Sequence, residues 1–154
     1  KNELVSVSNV KGFAMFLNLK EFSEIGFFDS NFFIYFEEID LCRRVKTLNK
    51  EIYLDPTIEI YHLGGSSHDK EVNFEMELSR NWHWMWSTFY YQKKYNGFLI
   101  AFIKILPKLL SSLIKMIVFT SILNRKKRAI YKQRFSGLFN SIIGKTSWYR
   151  PKVI

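Results

Sequence analysis

Three carboxylates directly follow a dense aromatic stretch in the first third of the chain. The acids are Glu37, Glu38 and Asp40, and six of the ten residues before them, 27–36, are aromatic. Burial among aromatic rings disfavours the charged form of a carboxylate and raises its pKa towards neutrality. A carboxylate with such a pKa can act as a general base, so these residues are candidates for catalysis.

A structural interpretation of the same acids stays open. Glu37 and Glu38 can lie in the first turn of a helix, where negative side chains favour the positive end of the helix dipole and do no chemistry. Asp40 can orient Arg43 or Arg44 or assist the base, and a structural salt bridge is an equal alternative.

A longer pattern surrounds the acids. Residues 26–44 read G-x-F-D-x-x-F-F-x-Y-F-E-E-x-D-L-C-x-R, and Pro56, His62 and a Gly-Gly-Ser-Ser loop at 64–67 come after them. These motifs, spread over about residues 8–95, resemble the acceptor-side half of family 2 inverting glycosyltransferases, in particular the bacterial rhamnosyltransferase-like branch.

The resemblance implies a GT-A fold that holds a nucleotide-sugar donor and a divalent metal. In that family a carboxylate of a Glu-Asp pair deprotonates the acceptor hydroxyl. Here the pair reads Glu37-Glu38, so Glu38 replaces the usual Asp and is the expected general base, with Glu37 and Asp40 beside it. The longer side chain keeps the chemistry and changes the reach of the base.

The resemblance also implies a metal ligand. In metal-dependent relatives a His that follows the Pro and precedes the Gly/Ser loop binds Mn or Mg together with an Asp-x-Asp carboxylate, and His62 has this place. Without the resemblance, a lone His near a strand end is usually hydrogen-bonded structure. A neutral imidazole suits Mn better than Mg, which prefers oxygen ligands.

Three further residues are expected to contact substrate. Gly12 can let the backbone approach the acceptor sugar, although a tight packing contact is an equal alternative. Phe36 borders the acids, and Arg80 can either meet a phosphate of the donor or lipid carrier or be a solvated helix charge. His68 and His83 lack the context of His62, and we interpret both as structural.

Length and composition bound the chain. Its 154 residues, 47% of them hydrophobic, suffice for one modest folded domain and exclude a disordered chain. No Asp-x-Asp motif or Gly-rich phosphate loop occurs before Gly12, so we expect a C-terminal portion of a larger enzyme, inactive alone, with most of the donor site and the metal motif upstream. A single cysteine, Cys42, and the lack of a signal-peptide pattern predict a cytoplasmic protein.

Apolar spacing predicts an α/β first part. Strands are expected over residues 10–18, 51–54 and 57–62. Helices are expected over residues 20–25, 40–48 and 71–95, the first of them closed by Gly26. The last helix carries an aromatic stripe that is expected to be core, formed by Phe74, Leu78, Trp82, Met85 and Phe89.

Charge divides the chain into two parts. Residues 1–95 have a net charge of −3, whereas residues 96–154 contain 12 Lys and Arg and no acid. Residues 98–123 are long enough to cross a bilayer as a helix, with a kink expected at Pro107. A polar stripe makes spanning costly and favours a helix that lies in the membrane interface; it is formed by Lys104, Lys108, Ser111 and Lys115.

The basic run at 125–134 points to the same location. Six of its ten residues are basic, and such a run favours anionic lipid on the cytoplasmic leaflet. A helical cap packed on the rest of the enzyme is the alternative.

The sequence therefore predicts the C-terminal half of a glycosyltransferase catalytic domain at 1–95, followed by an amphipathic, basic helical tail at 96–154. The expected reaction transfers a hexose, with rhamnose as a candidate, from a nucleotide-diphosphate donor to a hydroxyl of a lipid-linked or cell-surface glycan, with inversion. Such a protein would serve cell-envelope polysaccharide synthesis on the inner face of the cell membrane. The alternative is a non-catalytic protein that binds a membrane surface or nucleic acid through the tail; basic residues that flank an apolar helix favour lipid over nucleic acid.

Overall fold

The computed structural model describes residues 3–63 and 72–151, and these form two compact units. Unit 1 contains residues 3–32 and 36–63, and unit 2 contains residues 33–35 and 72–151. The two compact units divide before the long helix, whereas the change in net charge along the sequence falls at residue 95. The two differ because the aromatic stripe of the long helix packs with the basic tail inside unit 2.

Unit 1 is built from short elements. They are β1 (Val5–Ser6), a 3-10 turn (Leu19–Glu21), α1 (Phe22–Ile25), α2 (Glu37–Thr47) and β2 (Tyr53–Leu54). The two strands pair antiparallel, with Val5 opposite Leu54 and Ser6 opposite Tyr53. Both strands are exposed, so the sheet contributes little burial.

A small apolar cluster holds α1 against α2. Phe22, Ile25 and Leu41 are buried in it, and Met15, Leu17 and Val45 pack around them. Gly26 ends α1 with a positive φ of 72°, which glycine adopts without steric cost. The helices predicted over 20–25 and 40–48 are confirmed, although α2 begins earlier, at Glu37.

Two of the three predicted strands are wrong. Residues 10–18 and 57–62 have no strand assignment, and only Tyr53–Leu54 remains of the strand predicted over 51–54. Side chains in residues 10–18 still alternate between exposed and packed positions, because Phe16 is 91% exposed while Met15 and Leu17 pack inward. Alternation alone does not make a strand, since a strand also needs a neighbouring strand to accept its backbone hydrogen bonds. At Asp55 a side-chain turn intervenes, because its Oδ1 accepts a hydrogen bond of 2.9 Å from the Thr57 backbone N–H.

Unit 2 is helical. Helix α3 (Asn73–Ser121) is interrupted at Gly97, where φ is 77° and ψ is 167°, and α4 (Arg125–Ile142) follows. The helix predicted over 71–95 is confirmed from Asn73 onward. The chain stays helical through Pro107, so the interruption falls at Gly97 and not at the proline where we expected it.

The two parts of α3 and the end of α4 share one core. Met85 and Phe89 before the break pack with Ala101 and Ile105 after it, and Leu138 of α4 joins them. The predicted stripe is therefore core at Leu78, Trp82, Met85 and Phe89. Burial of these side chains provides the stabilisation that holds the three helical segments together.

One glycine permits a close contact between α3 and α4 in unit 2. A Cβ at Gly137 of α4 would lie 2.3 Å from the backbone oxygen of Trp82. Ser141 Oγ donates to the Trp86 backbone oxygen at 3.0 Å along the same contact. Only a residue without a side chain allows the two backbones to approach this closely.

A buried histidine holds the C-terminal segment on α3. His83 is fully buried; its Nδ1 lies 2.9 Å from Ser147 Oγ and its Nε2 lies 2.8 Å from the Tyr149 backbone oxygen. A carbonyl only accepts, so Nε2 carries the proton and Nδ1 accepts from the serine hydroxyl. Burial lowers the pKa of His83, the hydrogen bond to the Tyr149 carbonyl raises it and the nearby Arg150 charge lowers it, so that the net pKa is about 4. The structural interpretation of His83 agrees with this geometry, while His68 lies outside the described residues.

We expect Gly137→Ala to destabilise the protein by about 3 kcal/mol, because the added methyl group forces the two backbones apart. The sign of this change in stability tests the close contact, since Gly→Ala inside an uncrowded helix stabilises a protein by up to about 1 kcal/mol. Urea unfolding followed by circular dichroism measures the change. A variant as stable as the parent, or more stable, would contradict the close contact.

We expect the free energy of unfolding to fall as the pH drops from about 6.5 towards 4. The folded pKa of His83, about 4, lies below the unfolded value of about 6.5, so the unfolded state binds the proton first in this window. The shift corresponds to a loss of up to about 3 kcal/mol. His83→Gln keeps a donor and an acceptor but cannot titrate, so urea unfolding at pH 7 and pH 4.5 should show a smaller loss for this variant. An equal loss in both proteins would show that other groups cause the pH dependence.

Candidate active site

The start of α2 carries the predicted acids on an unusual backbone. Tyr35 and Phe36, the two residues before the helix, both have left-handed backbone angles, with φ of 68° and 72°. Such angles are rare for bulky residues, cost about 1–3 kcal/mol each, and are found where the surrounding structure enforces them, often at functional sites. They turn the chain so that Glu37 and Glu38 form the first turn of the helix.

The two first-turn acids, Glu37 and Glu38, are named the carboxylate pair. Each has one carboxyl oxygen, Oε2, that is buried and has no hydrogen-bond partner among the described residues. Burial raises the pKa of Glu37, and the charge on Glu38 adds to the rise, against the lowering effect of a hydrogen bond from the backbone N–H of Glu37 itself. The pair therefore offers oxygens that can accept a proton or a hydrogen bond from a ligand.

The adjacent residues Gly12 and Phe13 contact Glu38 and His62, respectively. A Cβ at Gly12 would lie 3.4 Å from Glu38 Cβ and 3.6 Å from Glu38 Cγ, so Glu38 packs on the bare backbone there. The ring of the next residue, Phe13, stacks on the His62 imidazole with centroids 4.6 Å apart and 2° between the planes. Glu38 and His62 thus each contact one of two adjacent residues, Gly12 and Phe13.

Asp40 has a structural partner. Its side chain is fully buried, and its Oδ2 accepts a hydrogen bond of 2.9 Å from Arg44 Nε, one helical turn later. The same guanidinium donates to the backbone oxygens of Ile25 at 2.6 Å and Gly26 at 2.9 Å, and also to that of Phe27. Of the alternatives for Asp40, the geometry favours the salt bridge with Arg44.

The two other residues predicted to contact substrate, Phe36 and Arg80, lie in different units. Phe36 is half-buried next to the carboxylate pair. Arg80 is half-buried on α3 in unit 2, and its side chain makes no hydrogen bond or ion pair with another described residue. Phe36 therefore lies beside the acids, and Arg80 remains a charge available to an anion.

The described residues supply at most part of a metal site. Within residues 3–63 and 72–151, no three His, Cys, Asp or Glu side chains gather closely enough to hold a metal ion. His62 is exposed and would contribute a single ligand. The Gly64–Ser67 loop lies outside the described residues. A metal centre would thus need ligands beyond those that the structure describes.

Unit 1 also has a large apolar cavity of about 820 Å³. Its walls include Phe13, Leu41 and Ile52, but not Gly12, Glu38 or His62. Exposed apolar side chains surround it, among them Leu4, Phe16, Leu54, Ile58 and Ile60. The cavity is therefore continuous with the apolar core of unit 1, and neither acid of the carboxylate pair lines it.

The basic tail presents two different sides. Beyond Gly97, α3 exposes a set of apolar residues at spacings of three, four and seven, here named the apolar face: Leu99, Ile103, Leu110, Ile114 and Ile117. The predicted lysines at 104, 108 and 115 are also exposed.

Within the part of the chain that the structure describes, α3 is the one helix long and apolar enough to cross a membrane.

Some of the important residues could not be found by sequence motifs. The Asp40–Arg44 pair has the i, i+4 spacing of helical ion pairs, so its local part is visible in the sequence. No local signal marks the stacking of Phe13 on His62 or the three backbone oxygens bound by Arg44, because these contacts join distant segments.

Comparisons with models of known protein families, with curated proteins and with solved structures find no match to this chain. The resemblance to family 2 glycosyltransferases therefore stays a prediction.

Proposed function

We propose that this chain forms the acceptor side of an inverting glycosyltransferase, with Glu38 as the general base. The observation that carries the proposal is the carboxylate pair, whose two buried oxygens have no partner among the described residues. Buried polar atoms are nearly always hydrogen-bonded, so exceptions invite a ligand as the missing partner. A sugar hydroxyl is a ligand of the required kind, since it donates a hydrogen bond and then a proton.

In the proposed reaction, Glu38 accepts the proton of the acceptor hydroxyl while the oxygen forms a bond to the anomeric carbon of the donor sugar. The bond from that carbon to the nucleotide diphosphate breaks on the opposite face, which inverts the anomeric configuration. Glu37, whose pKa is raised by burial and by the charge on Glu38, lies next to the base in the first turn of α2. Gly12 lies against Glu38, where an added Cβ would make an ordinary van der Waals contact at 3.4 Å from Glu38 Cβ.

The donor and the metal are assigned, in this proposal, to a nucleotide-binding half with an Asp-x-Asp motif outside these 154 residues. His62 would add one ligand, and Phe13 would hold its ring in place by stacking. A bound Mn or Mg ion supplies positive charge against the departing diphosphate.

We also propose that the tail attaches the protein to the cytoplasmic surface of an anionic membrane. The apolar face is exposed along α3, and exposed apolar patches of this kind mark interaction sites. The exposed lysines on the same helix segment favour an interfacial position over a spanning one, because each lysine near mid-membrane costs about 2.5–3.5 kcal/mol. This attachment would bring the acceptor site to a lipid-linked glycan.

A non-catalytic membrane-surface protein is the second candidate. The apolar face and the basic run do not depend on the carboxylate pair, so membrane binding alone accounts for unit 2. The buried, unpartnered oxygens of unit 1 favour the enzyme, because a purely structural domain gains nothing from them.

We expect Glu38→Gln, in the enzyme complete with its donor-binding half, to lower turnover by about 100-fold or more while donor binding is kept, because general-base catalysis contributes at least that factor. Glu37→Gln should lower it less. Transfer of labelled sugar to membrane acceptors measures the rates, and Glu59→Gln, an exposed acid of unit 1, serves as the matched control. Near-normal turnover of the Glu38 variant under saturating acceptor would move the base to another residue.

We expect the protein to sediment with vesicles that contain anionic lipid and to bind neutral vesicles less. Raising the salt concentration to about 0.5 M should weaken binding to the vesicles, because salt screens the charge attraction that partly holds an interfacial helix. A spanning helix would instead resist both salt and alkaline carbonate. Failure to bind any vesicle would leave the tail as a packing surface for another part of the enzyme.

A further inference from the structure

The turn between α3 and α4 is held by a stack of aromatic rings and cations. The rings of Phe119 and Tyr131 lie 5.4 Å apart with 12° between their planes. Lys127 Nζ lies 5.2 Å from the Phe119 centroid, and Lys115 Nζ lies 5.3 Å from the Tyr131 centroid. These two lysines already have a partner, because a cation over an aromatic face is attracted by the ring quadrupole.

A cavity of about 410 Å³, here named the tip cavity, opens between the same two helices. It is lined by Met116, Ile117, Thr120, Ser121, Arg128 and Lys132. Arg128 and Lys132 are one helical turn apart on α4 and therefore lie on one side of it. Neither side chain makes a hydrogen bond or ion pair with another residue that the structure describes. The cavity thus has two cations without a counter-ion on one wall.

The counter-ion cannot come from nearby in the sequence. The last acidic residue of the sequence is Glu77, so residues 78–154 contain no Asp or Glu. The two hydroxyls of the cavity donate to helix oxygens, from Thr120 Oγ1 to Met116 at 2.7 Å and from Ser121 Oγ to Ile117 at 3.3 Å. The positive charges of Arg128 and Lys132 therefore favour an anion from solution or from a membrane.

The apolar face leads directly to the tip cavity. Ile117 lines the cavity and is also 56% exposed as the last member of the apolar face. Ile114 and Leu110 continue that face away from the cavity along α3. A ligand that matches this surface carries a phosphate at one end and long apolar chains at the other.

We propose that the tip cavity is a binding site for the phosphate of an anionic phospholipid, whose acyl chains lie along the apolar face. Arg128 and Lys132 bind the phosphate oxygens, and Met116 and Ile117 contact the first carbons of the acyl chains. The inference rests on the proposed membrane attachment and adds a defined headgroup site to a general attraction between charges. General attraction depends on the number of cations, whereas a site depends on which cations are present.

Two double variants with the same loss of charge separate these cases. Arg128→Gln with Lys132→Gln removes the cations of the cavity, and Arg125→Gln with Lys126→Gln removes two exposed cations of α4 that do not line it. The probe is a vesicle of phosphatidylglycerol in phosphatidylcholine, with sedimentation as the readout and circular dichroism as the check that both variants fold. We expect the cavity variant to bind at least about 10-fold more weakly than the control variant, and to remain weaker at 0.5 M salt, where diffuse attraction is screened.

Equal losses in the two variants would overturn the headgroup site and leave the membrane attachment intact. Failure of the parent protein to bind any vesicle would overturn both. Soluble short-chain phosphatidylglycerol should also shift the amide NMR signals of Met116, Thr120 and Ser121 in the parent protein. The same shifts from inorganic phosphate at the same concentration would overturn the assignment to a lipid.

Discussion

The geometry of unit 1 depends on the charge pair between Asp40 and Arg44. Asp40 is completely buried, and a carboxylate removed from water is costly unless it is paired and hydrogen-bonded. Arg44 meets this requirement and uses its other nitrogens to bind the backbone oxygens of residues 25–27. One guanidinium therefore fixes α2 to the end of α1. The position of Glu37 and Glu38, three and two residues before Asp40 on α2, follows from this attachment.

Unit 2 has the opposite electrostatic character. Its tail has no acidic side chain, and among the described residues its cations contact carbonyl oxygens, side-chain amide oxygens and aromatic rings, as in the contacts of Lys104 with Gln92 and of Lys127 with Phe119. Such contacts hold the ammonium groups without neutralising them. The positive charge of the tail is therefore retained on the folded protein, where it can attract an anionic surface.

The sequence predicts those parts of the structure that local rules decide. The ends of α1 and α2 can be predicted because Gly26 and Asn49, both with positive φ, stop helices through their own backbone preferences. The core stripe of α3 can be predicted because helical spacing places Trp82, Met85 and Phe89 on one side. The strands over 10–18 and 57–62 were wrongly predicted because strand formation depends on a partner elsewhere in the chain. The same limit applies to the candidate site: the acids are visible as a motif, while the packing of Gly12 on Glu38 and of Phe13 on His62 is set by the fold.

Helix α2 contains one buried carboxylate that is paired and two that have an unpaired oxygen among the described residues. Asp40 shows that this region can satisfy a buried carboxylate completely, since Arg44 lies one turn away and faces it. Glu37 and Glu38 have buried oxygens without a partner among the described residues, at a cost of about 1–3 kcal/mol for each unsatisfied group. The two left-handed residues before them, Tyr35 and Phe36, add strain at the same place. Unpaired acceptors and backbone strain therefore coincide at the start of α2, although neither of them adds to the stability of the fold. A hydroxyl-bearing ligand would supply the hydrogen-bond donors that the described residues do not supply there.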